Sequence, residues 1–309
     1  MDQNLQLSIV SPIYRAKATL RPLLEQIQES LESKSLSFEV ILVEDGCPEN
    51  SWDLIKALKP EFPFVRAFKL SRNFGQHYAI TAGLKYASAE HVVVMDCDLQ
   101  DDPKFIPELL KELESTESDL ILARRMNRKD GLLKKLTSFA FHSLLSFLSG
   151  MKLDPRVGNF GVYKRRVIEA VLYMGDKIRY FPAMILWVGF KKTYLNIEHQ
   201  ARYEGRSSYN FKKLFALATD IILSYSDKPI RLVVGFGLVS SILSFLVMLV
   251  YFILALLGYF EVSGFASIMV SVWFLGAVII LSLGVMGMYI GKSFEAVKRR
   301  PVFIIEDEI

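Results

Sequence analysis

Val92-Val93-Val94-Met95-Asp96-Cys97-Asp98-Leu99-Gln100-Asp101-Asp102-Pro103 decides how this chain is read. A short β-branched apolar run stops abruptly at two carboxylates spaced i, i+2. An amide, two more acids and a helix-starting proline follow. The apolar run predicts a buried parallel strand. In open α/β sheets ligands bind beyond the carboxyl ends of the strands, which is where these acids fall. Asp96, Asp98 and Gln100 offer only hard oxygen donors, a set suited to Mg²⁺ or Mn²⁺ carrying phosphates. Asp101 reads as an acid outside that set, so Asp98→Asn should cost far more turnover than Asp101→Asn. The plain alternative is a solvated acidic turn that caps a helix.

The surroundings favour the chemical reading. Leu7–Tyr14, Phe38–Val43, Phe64–Leu70 and Asp119–Ala123 each predict another short strand, with helical periodicity between them (Leu20, Leu23, Leu24, Ile27, Leu31). Strands alternating with helices predict a largely parallel α/β sheet with right-handed crossovers. No G-x-G-x-x-G follows the first strand, which counts against a dinucleotide-binding domain. Asp45 ends the second strand, where a buried acid can accept the imino N–H of a uracil or guanine ring. The fifth strand delivers Arg124, Arg125 and Arg128 to its carboxyl end.

The second part of the chain differs in character. Of 309 residues 51% are hydrophobic, with a mean hydropathy of +0.28, and the excess gathers after residue 230. Two runs, 230–257 and 266–290, are each long enough to cross about 30 Å of hydrocarbon. Their short connection carries Glu261 and no lysine or arginine. Lys228 and Arg231 precede the first run, and Lys292, Lys298, Arg299 and Arg300 follow the second. The positive-inside rule therefore predicts both termini and the α/β domain in the cytoplasm. No ionisable residue lies deep in either run, which argues against a transport path. Residues 131–150 and 211–229, apolar with Lys134, Lys135, Lys212 and Lys213, fit helices lying in a membrane interface. The net charge of +4, set beside apolar segments, favours an anionic membrane surface over nucleic acid. Cys47 and Cys97 make no disulfide framework, consistent with a reducing compartment. The first residues show no signal peptide. Gly235, Gly237, Gly284, Gly287 and Gly291 permit close helix packing, within the hairpin or in a homo-oligomer.

A set of motifs gives these pieces a family. Val10-Ser11-Pro12-Ile13-Tyr14 resembles V-x-P-x-Y-N-E, Val43-Glu44-Asp45-Gly46 resembles D-D-G-S, and Arg72-Asn73-Phe74-Gly75-Gln76 resembles R-N-x-G-Q. Met95-Asp96-Cys97-Asp98-Leu99-Gln100 resembles D-A-D-L-Q, and Arg125-x-x-Arg128 resembles R-x-x-R. Arg202-x-x-Gly205-x-Ser207 resembles R-x-x-G-x-S-K-Y, and Tyr289-Ile290-Gly291-Lys292 through Arg300-Pro301 resembles Y-I-G-R…R-P. Together they resemble family 2 glycosyltransferases of GT-A fold, in the polyprenyl-phosphate branch related to dolichol-phosphate mannose synthases, bacterial type with two carboxy-terminal spans.

The resemblance implies a Rossmann-like, mostly parallel GT-A domain over residues 1–210, a juxtamembrane helix at 211–229, two spans within 230–291 and a basic cytoplasmic tail at 292–309. It implies an inverting, Mg²⁺- or Mn²⁺-dependent transfer from a nucleotide-sugar, with a lean to UDP, to undecaprenyl phosphate for cell-envelope modification. Pro12, Tyr14, Glu44, Asp45, Gly46, Asn73 and Asp96 would bind the donor. Asp96, Asp98 and Gln100 would hold the metal. Asp98, Arg125, Arg128 and Arg202 would carry catalysis, and Arg125, Arg128, Arg202, Arg206 and Ser207 would meet the acceptor phosphate.

Several positions depart from the pattern. Arg15-Ala16 replaces Asn-Glu, Ser208 replaces lysine, and Arg156 stands near where relatives carry an acid before Gly158. Asn159, read as a turn residue, is placed to touch the sugar. Three rivals stand beside this reading: a processive polysaccharide synthase, a scaffold with a dead transferase domain, and a flippase. The first lacks its Q-x-x-R-W motif around Trp187.

Overall fold

A computed structural model describes residues 5–32, 34, 36–126, 146–150, 154, 156–198, 219, 222–223, 226–257 and 264–309. Arg128, Arg202, Arg206 and Ser207, residues 131–145, and most of 211–229 lie outside the described residues. The chain divides into two compact units, residues 1–143 with 151–210 and 300–309, and residues 144–150 with 211–299.

The first unit is built on one sheet of eight strands in the order β7-β5-β6-β4-β1-β2-β3-β8. The strands are β1 (Leu7–Ile13), β2 (Phe38–Glu44), β3 (Val65–Leu70), β4 (His91–Val94), β5 (Leu120–Met126), β6 (Val157–Lys164), β7 (Lys192–Glu198) and β8 (Ile305–Glu308). β1 pairs in parallel with β2 and β4, β2 with β3, and β5 with β7, while β6 and β8 run antiparallel to their neighbours. The mostly parallel α/β sheet expected from the sequence is therefore present, with β6 inserted between the predicted fourth and fifth strands.

Helices cover both faces. α1 (Leu20–Glu32) and α4 (Ile106–Ser115) bury Leu20, Leu23, Leu24, Ile27, Leu31, Ile106, Leu109 and Leu113 against one face. α3 (Gln76–Tyr86) packs on the other so closely that a Cβ at Gly83 would meet Val10 Cγ1 at 2.4 Å. α2 (Ser51–Leu58), α5 (Arg165–Tyr173) and α6 (Phe181–Trp187) complete the unit. Burial of β1, β2 and β4 on both faces explains the dominantly apolar runs that made them legible.

Pro12 shapes the cleft. Met95 N donates to Val10 O at 3.1 Å, so the next rung toward β4 would need an N–H from residue 12. Proline has none. The β1–β4 ladder ends at Val10 and Val94, and the two strands part where Asp96 follows. β1 is also where the strand order reverses, the position at which such sheets open a crevice.

The second unit contains α7 (Lys228–Leu256) and α8 (Phe265–Val297). At 1.5 Å per residue they run about 44 and 50 Å. Both are long and apolar enough to cross a membrane, and Leu232, Phe236, Leu243, Ile279, Leu281 and Ile290 are all more than 49% exposed. Apolar side chains on every face of a helix suit lipid rather than water. Within the stretch expected as a basic tail, residues 300–309 belong to the first unit, and β8 forms an edge of its sheet. The acidic sequence Ile305-Glu306-Asp307-Glu308 reads as solvated, but an edge strand needs only one buried side.

Candidate active site

The carboxyl ends of β1, β2, β4 and β5 meet the amino end of β6 along one edge of the sheet. The turn after β4 carries the acids. Leu99 sits in the left-handed region at φ 59°, a costly backbone for leucine. Its side chain is pinned in the core at 7% exposure. This turns Gln100 N back onto Asp98 Oδ1 at 3.2 Å. From below, Thr19 Oγ1 donates to Cys97 O at 2.6 Å. Cys97 itself is buried, its thiol pushed up to about 12, so it is a packing residue and no nucleophile.

Asp96 is the hub. Its Oδ1 accepts from Gln76 Nε2 at 2.7 Å and from Asn159 Nδ2 at 3.0 Å, tying the start of α3 to β6. Burial, then the neighbouring Asp101 and Asp98 carboxylates, push its carboxyl up to about 6. Asn159 is thus a strand residue holding Asp96 rather than a free turn residue.

Asp101 is the residue that sequence reasoning set aside. It is fully buried and grips Arg125 with both oxygens, Nε to Oδ1 at 3.1 Å and Nη2 to Oδ2 at 2.8 Å. Planar two-point pairing fixes both position and orientation of the guanidinium. Gly158 makes room for it, since a Cβ there would lie 3.2 Å from Arg125 Nη2. Three carboxylates, Asp96, Asp98 and Asp101, therefore surround one arginine. The signal for this pairing is β5's register, which no motif spells out.

Beside it, Asp154 takes Arg124 Nε at 3.0 Å and Arg156 Nη2 at 2.9 Å. These contacts hold its carboxyl down at about 2 against the opposing cost of burial. Arg156 is thereby accounted for by its neighbour Asp154.

The second cluster lies past β2. Asp45, 2% exposed, accepts Phe74 N at 2.7 Å on Oδ1 and Gly75 N at 2.9 Å on Oδ2. Asn73 Nδ2 returns a bond to Asp45 O at 3.0 Å. Gly46 has φ +59°, and a Cβ on it would sit 2.3 Å from Asn73 N. The two loops are thereby locked together, and the Asp45 carboxylate expected to read a base is engaged in that lock. Glu44 is different. One oxygen accepts Cys47 N, the other is buried without a partner, and burial raises its pKa. Tyr14 is 41% exposed at the end of β1, with Arg15 against its ring.

The structure thus brings Asp96, Asp98, Gln100, Asp101 and Arg125 together, and sets Glu44, Asp45, Gly46 and Asn73 in one neighbouring cluster. Among the described residues no three acidic, histidine or cysteine side chains form a metal cage by themselves.

Known proteins agree with this architecture. Glycosyl transferase family 2 matches residues 8–172. A bactoprenol glucosyl transferase of Shigella phage SfV is 32% identical over 305 residues, covering 98% of this chain and 99% of that one. A prophage bactoprenol glucosyl transferase homolog of Escherichia coli K12 is 30% identical over 303 residues, covering 98% and 99%. In fold, the chain resembles glucosyl-3-phosphoglycerate synthase from Mycobacterium tuberculosis, crystallised with Mn²⁺, uridine diphosphate and phosphoglyceric acid. That likeness has a TM-score of 0.51 and 18% identity, covering 71% of this chain and 76% of the other. An α/β sheet with its acids at the carboxyl edge, the family match across it and end-to-end relatives lead to one conclusion: the chain belongs to glycosyl transferase family 2 and is a glycosyltransferase.

Proposed function

We propose that this chain transfers a sugar from a UDP-sugar to the phosphate of undecaprenyl phosphate, at the cytoplasmic face of a membrane, with inversion at the anomeric carbon. The observation that carries the reading is the charge arrangement. Asp96, Asp98 and Asp101 surround a single fixed arginine at the sheet edge, in a chain that also has two membrane-length helices. The bactoprenol glucosyl transferase relatives, matched over their whole length, supply the acceptor class.

The donor set fits a divalent cation. Hard carboxylate oxygens outnumber the one arginine, and Asp96 is held near a pKa of about 6 by its own burial and like-charged neighbours, an imbalance that a cation relieves. Asp96, Asp98 and Gln100 would hold Mg²⁺ or Mn²⁺. Bound there, the ion would neutralise charge on the departing diphosphate.

The protein's own residues do the rest. Gln76 and Asn159 orient Asp96. Asp101 holds Arg125, whose Nη1 is not taken by Asp101, to steady one of the two phosphorylated substrates. Glu44, Asp45 and Gly46 border the nucleotide half of the site, and Tyr14 offers an exposed ring at the end of β1. The nucleophile needs little help. A phosphate monoester has a second pKa of about 6 and is largely ionised near neutrality. Positioning two anions is then the main task, and no strong general base is required. The hairpin of α7 and α8 crosses twice, because the chain leaves the first unit before α7 and returns to it at β8. The neighbouring positive charges support a cytoplasmic position for that unit.

The test is transfer of radiolabelled sugar from UDP- and GDP-sugars to undecaprenyl phosphate in detergent with Mg²⁺, Mn²⁺ or EDTA. Organic-extractable product from a UDP-sugar, abolished by EDTA, is expected. Intact nucleotide binding with no product from any donor would refute the transfer reading.

A further inference from the structure

Residues 300–309 do more than end the chain. Beyond the β3–β8 register of Phe68 with Glu308 and Lys69 with Asp307, Ile309 N and O both bond Ala67 at 3.0 Å. At the other end Ser71 N donates to Ile304 O at 3.0 Å. Asp307 accepts Trp52 Nε1 at 3.0 Å and pairs with Lys56 at 3.1 Å, both on α2. Glu306 pairs with Lys69 at 3.0 Å, and Lys177 Nζ donates to Arg300 O at 2.5 Å. The segment therefore binds the two elements, α2 and β3, that border the cluster of Glu44, Asp45, Gly46 and Asn73.

We propose that this carboxy-terminal segment is a positioning clamp for the nucleotide half of the donor site. Ser71 opens the loop whose Asn73, Phe74 and Gly75 lock onto Asp45. Gly46 leaves that lock no slack, because even a methyl group would collide with Asn73 N. Without β8 the outer edge of β3 has no ladder partner, and Ser71 N loses the bond that fixes the start of the loop. Fraying there moves Asn73 and Gly75, and with them Asp45. Arg125 and Asp101 lie on the other side of β1 and keep their own contacts. The clamp acts on donor binding and leaves the acceptor side alone. It rests on the reading that the Glu44–Asn73 cluster takes the nucleotide.

The experiment compares the full chain, a form ending at Arg300, and Asp307→Ala, all in detergent. UDP affinity is measured by calorimetry, KM separately for donor and acceptor. The truncated form should bind UDP about tenfold more weakly, equivalent to roughly 1.4 kcal/mol or one to two backbone hydrogen bonds. Donor KM should rise in parallel, with acceptor KM within about twofold. A synthetic peptide of residues 301–309 should restore donor KM by adding back the strand. Asp307→Ala, which spares the backbone ladder, should raise donor KM by a few-fold, with Asp307→Asn intermediate because it still accepts from Trp52. Unchanged UDP affinity in the truncated form overturns the clamp, as do donor and acceptor KM rising together without rescue by the peptide. If the truncated form does not fold, an unchanged donor KM in Asp307→Ala overturns it. A full-length chain that does not bind UDP overturns the donor reading itself, and the clamp with it.

Discussion

Replacing Asp101 by asparagine keeps the shape of the side chain and removes the charge that grips Arg125. Breaking a fully buried ion pair by removing one partner costs about 3–5 kcal/mol. Three features lower that figure. Arg125 is 22% exposed, it keeps the attraction of Asp96 and Asp98, and the asparagine oxygen still accepts one of its two N–H bonds. A cost of about 2–3 kcal/mol is expected. Since the same pair fixes the guanidinium for reaction, the loss falls on turnover, roughly 30- to 150-fold in kcat. A second signature separates this from general damage. Asp101 is one of the charges that raise the Asp96 pKa in the metal-free protein, so Asp101→Asn should move the pH at which Mn²⁺ affinity falls to a lower value. The assays are steady-state transfer to undecaprenyl phosphate at about pH 7.5 and Mn²⁺ binding between about pH 5 and 8. A kcat within about threefold of wild type and an unmoved binding profile would refute the pairing as a catalytic support.

Other outcomes follow from the same contacts. In the metal-free protein Asp96 takes up its proton near pH 6, so Mn²⁺ affinity measured by calorimetry should fall as pH drops through about 6; an affinity flat down to about pH 5 would contradict this. Asp96 also holds its proton more tightly folded than unfolded, so its ionisation costs stability as pH rises from about 4 to about 6. Asp96→Asn should therefore raise the melting temperature of the metal-free protein more at pH 7.5 than at pH 5. Gly46→Ala meets both a left-handed backbone and Asn73 N at 2.3 Å; UDP binding measured by calorimetry should be lost while the bulk of the sheet still folds. Arg15, exposed with φ 51°, occupies a conformation that asparagine tolerates far better. Arg15→Asn should stabilise the first unit by about 0.5–1 kcal/mol, raising Tm by about 1–3 °C.

The amino-terminal half of the sheet was readable because β1, β2 and β4 are buried almost throughout and appear as dominantly apolar runs. β6 was not. Val157-Gly158-Asn159-Phe160-Gly161 has poor strand propensity, yet each small residue has a reason that appears only in three dimensions. Gly161 would place a Cβ 2.6 Å from Ile121 O, and Gly158 faces Arg125. The acids of the β4 turn were legible as a group, but their division of labour was not. Asp98 and Asp101 look alike in sequence, and only the register of β5 brings Arg125 to Asp101. Likewise Glu44 and Asp45 are adjacent acids at one strand end, and it is the fold of the Arg72–Gly75 loop that engages the second and leaves an oxygen of the first unpaired.

The position of β8 in the chain also bears on biogenesis. Ala67 and Ile309 are partners on opposite sides of both apolar helices in the sequence, so this edge of the sheet closes only after both helices have left the ribosome. Contacts so distant in sequence form late, and until then β3 presents an open edge of the kind that invites mispairing. With the two-pass topology proposed above, a chain whose second helix failed to cross would strand β8 on the far side of the bilayer. Its first unit would be left unsealed at that edge, so correct insertion becomes a condition for completing the fold.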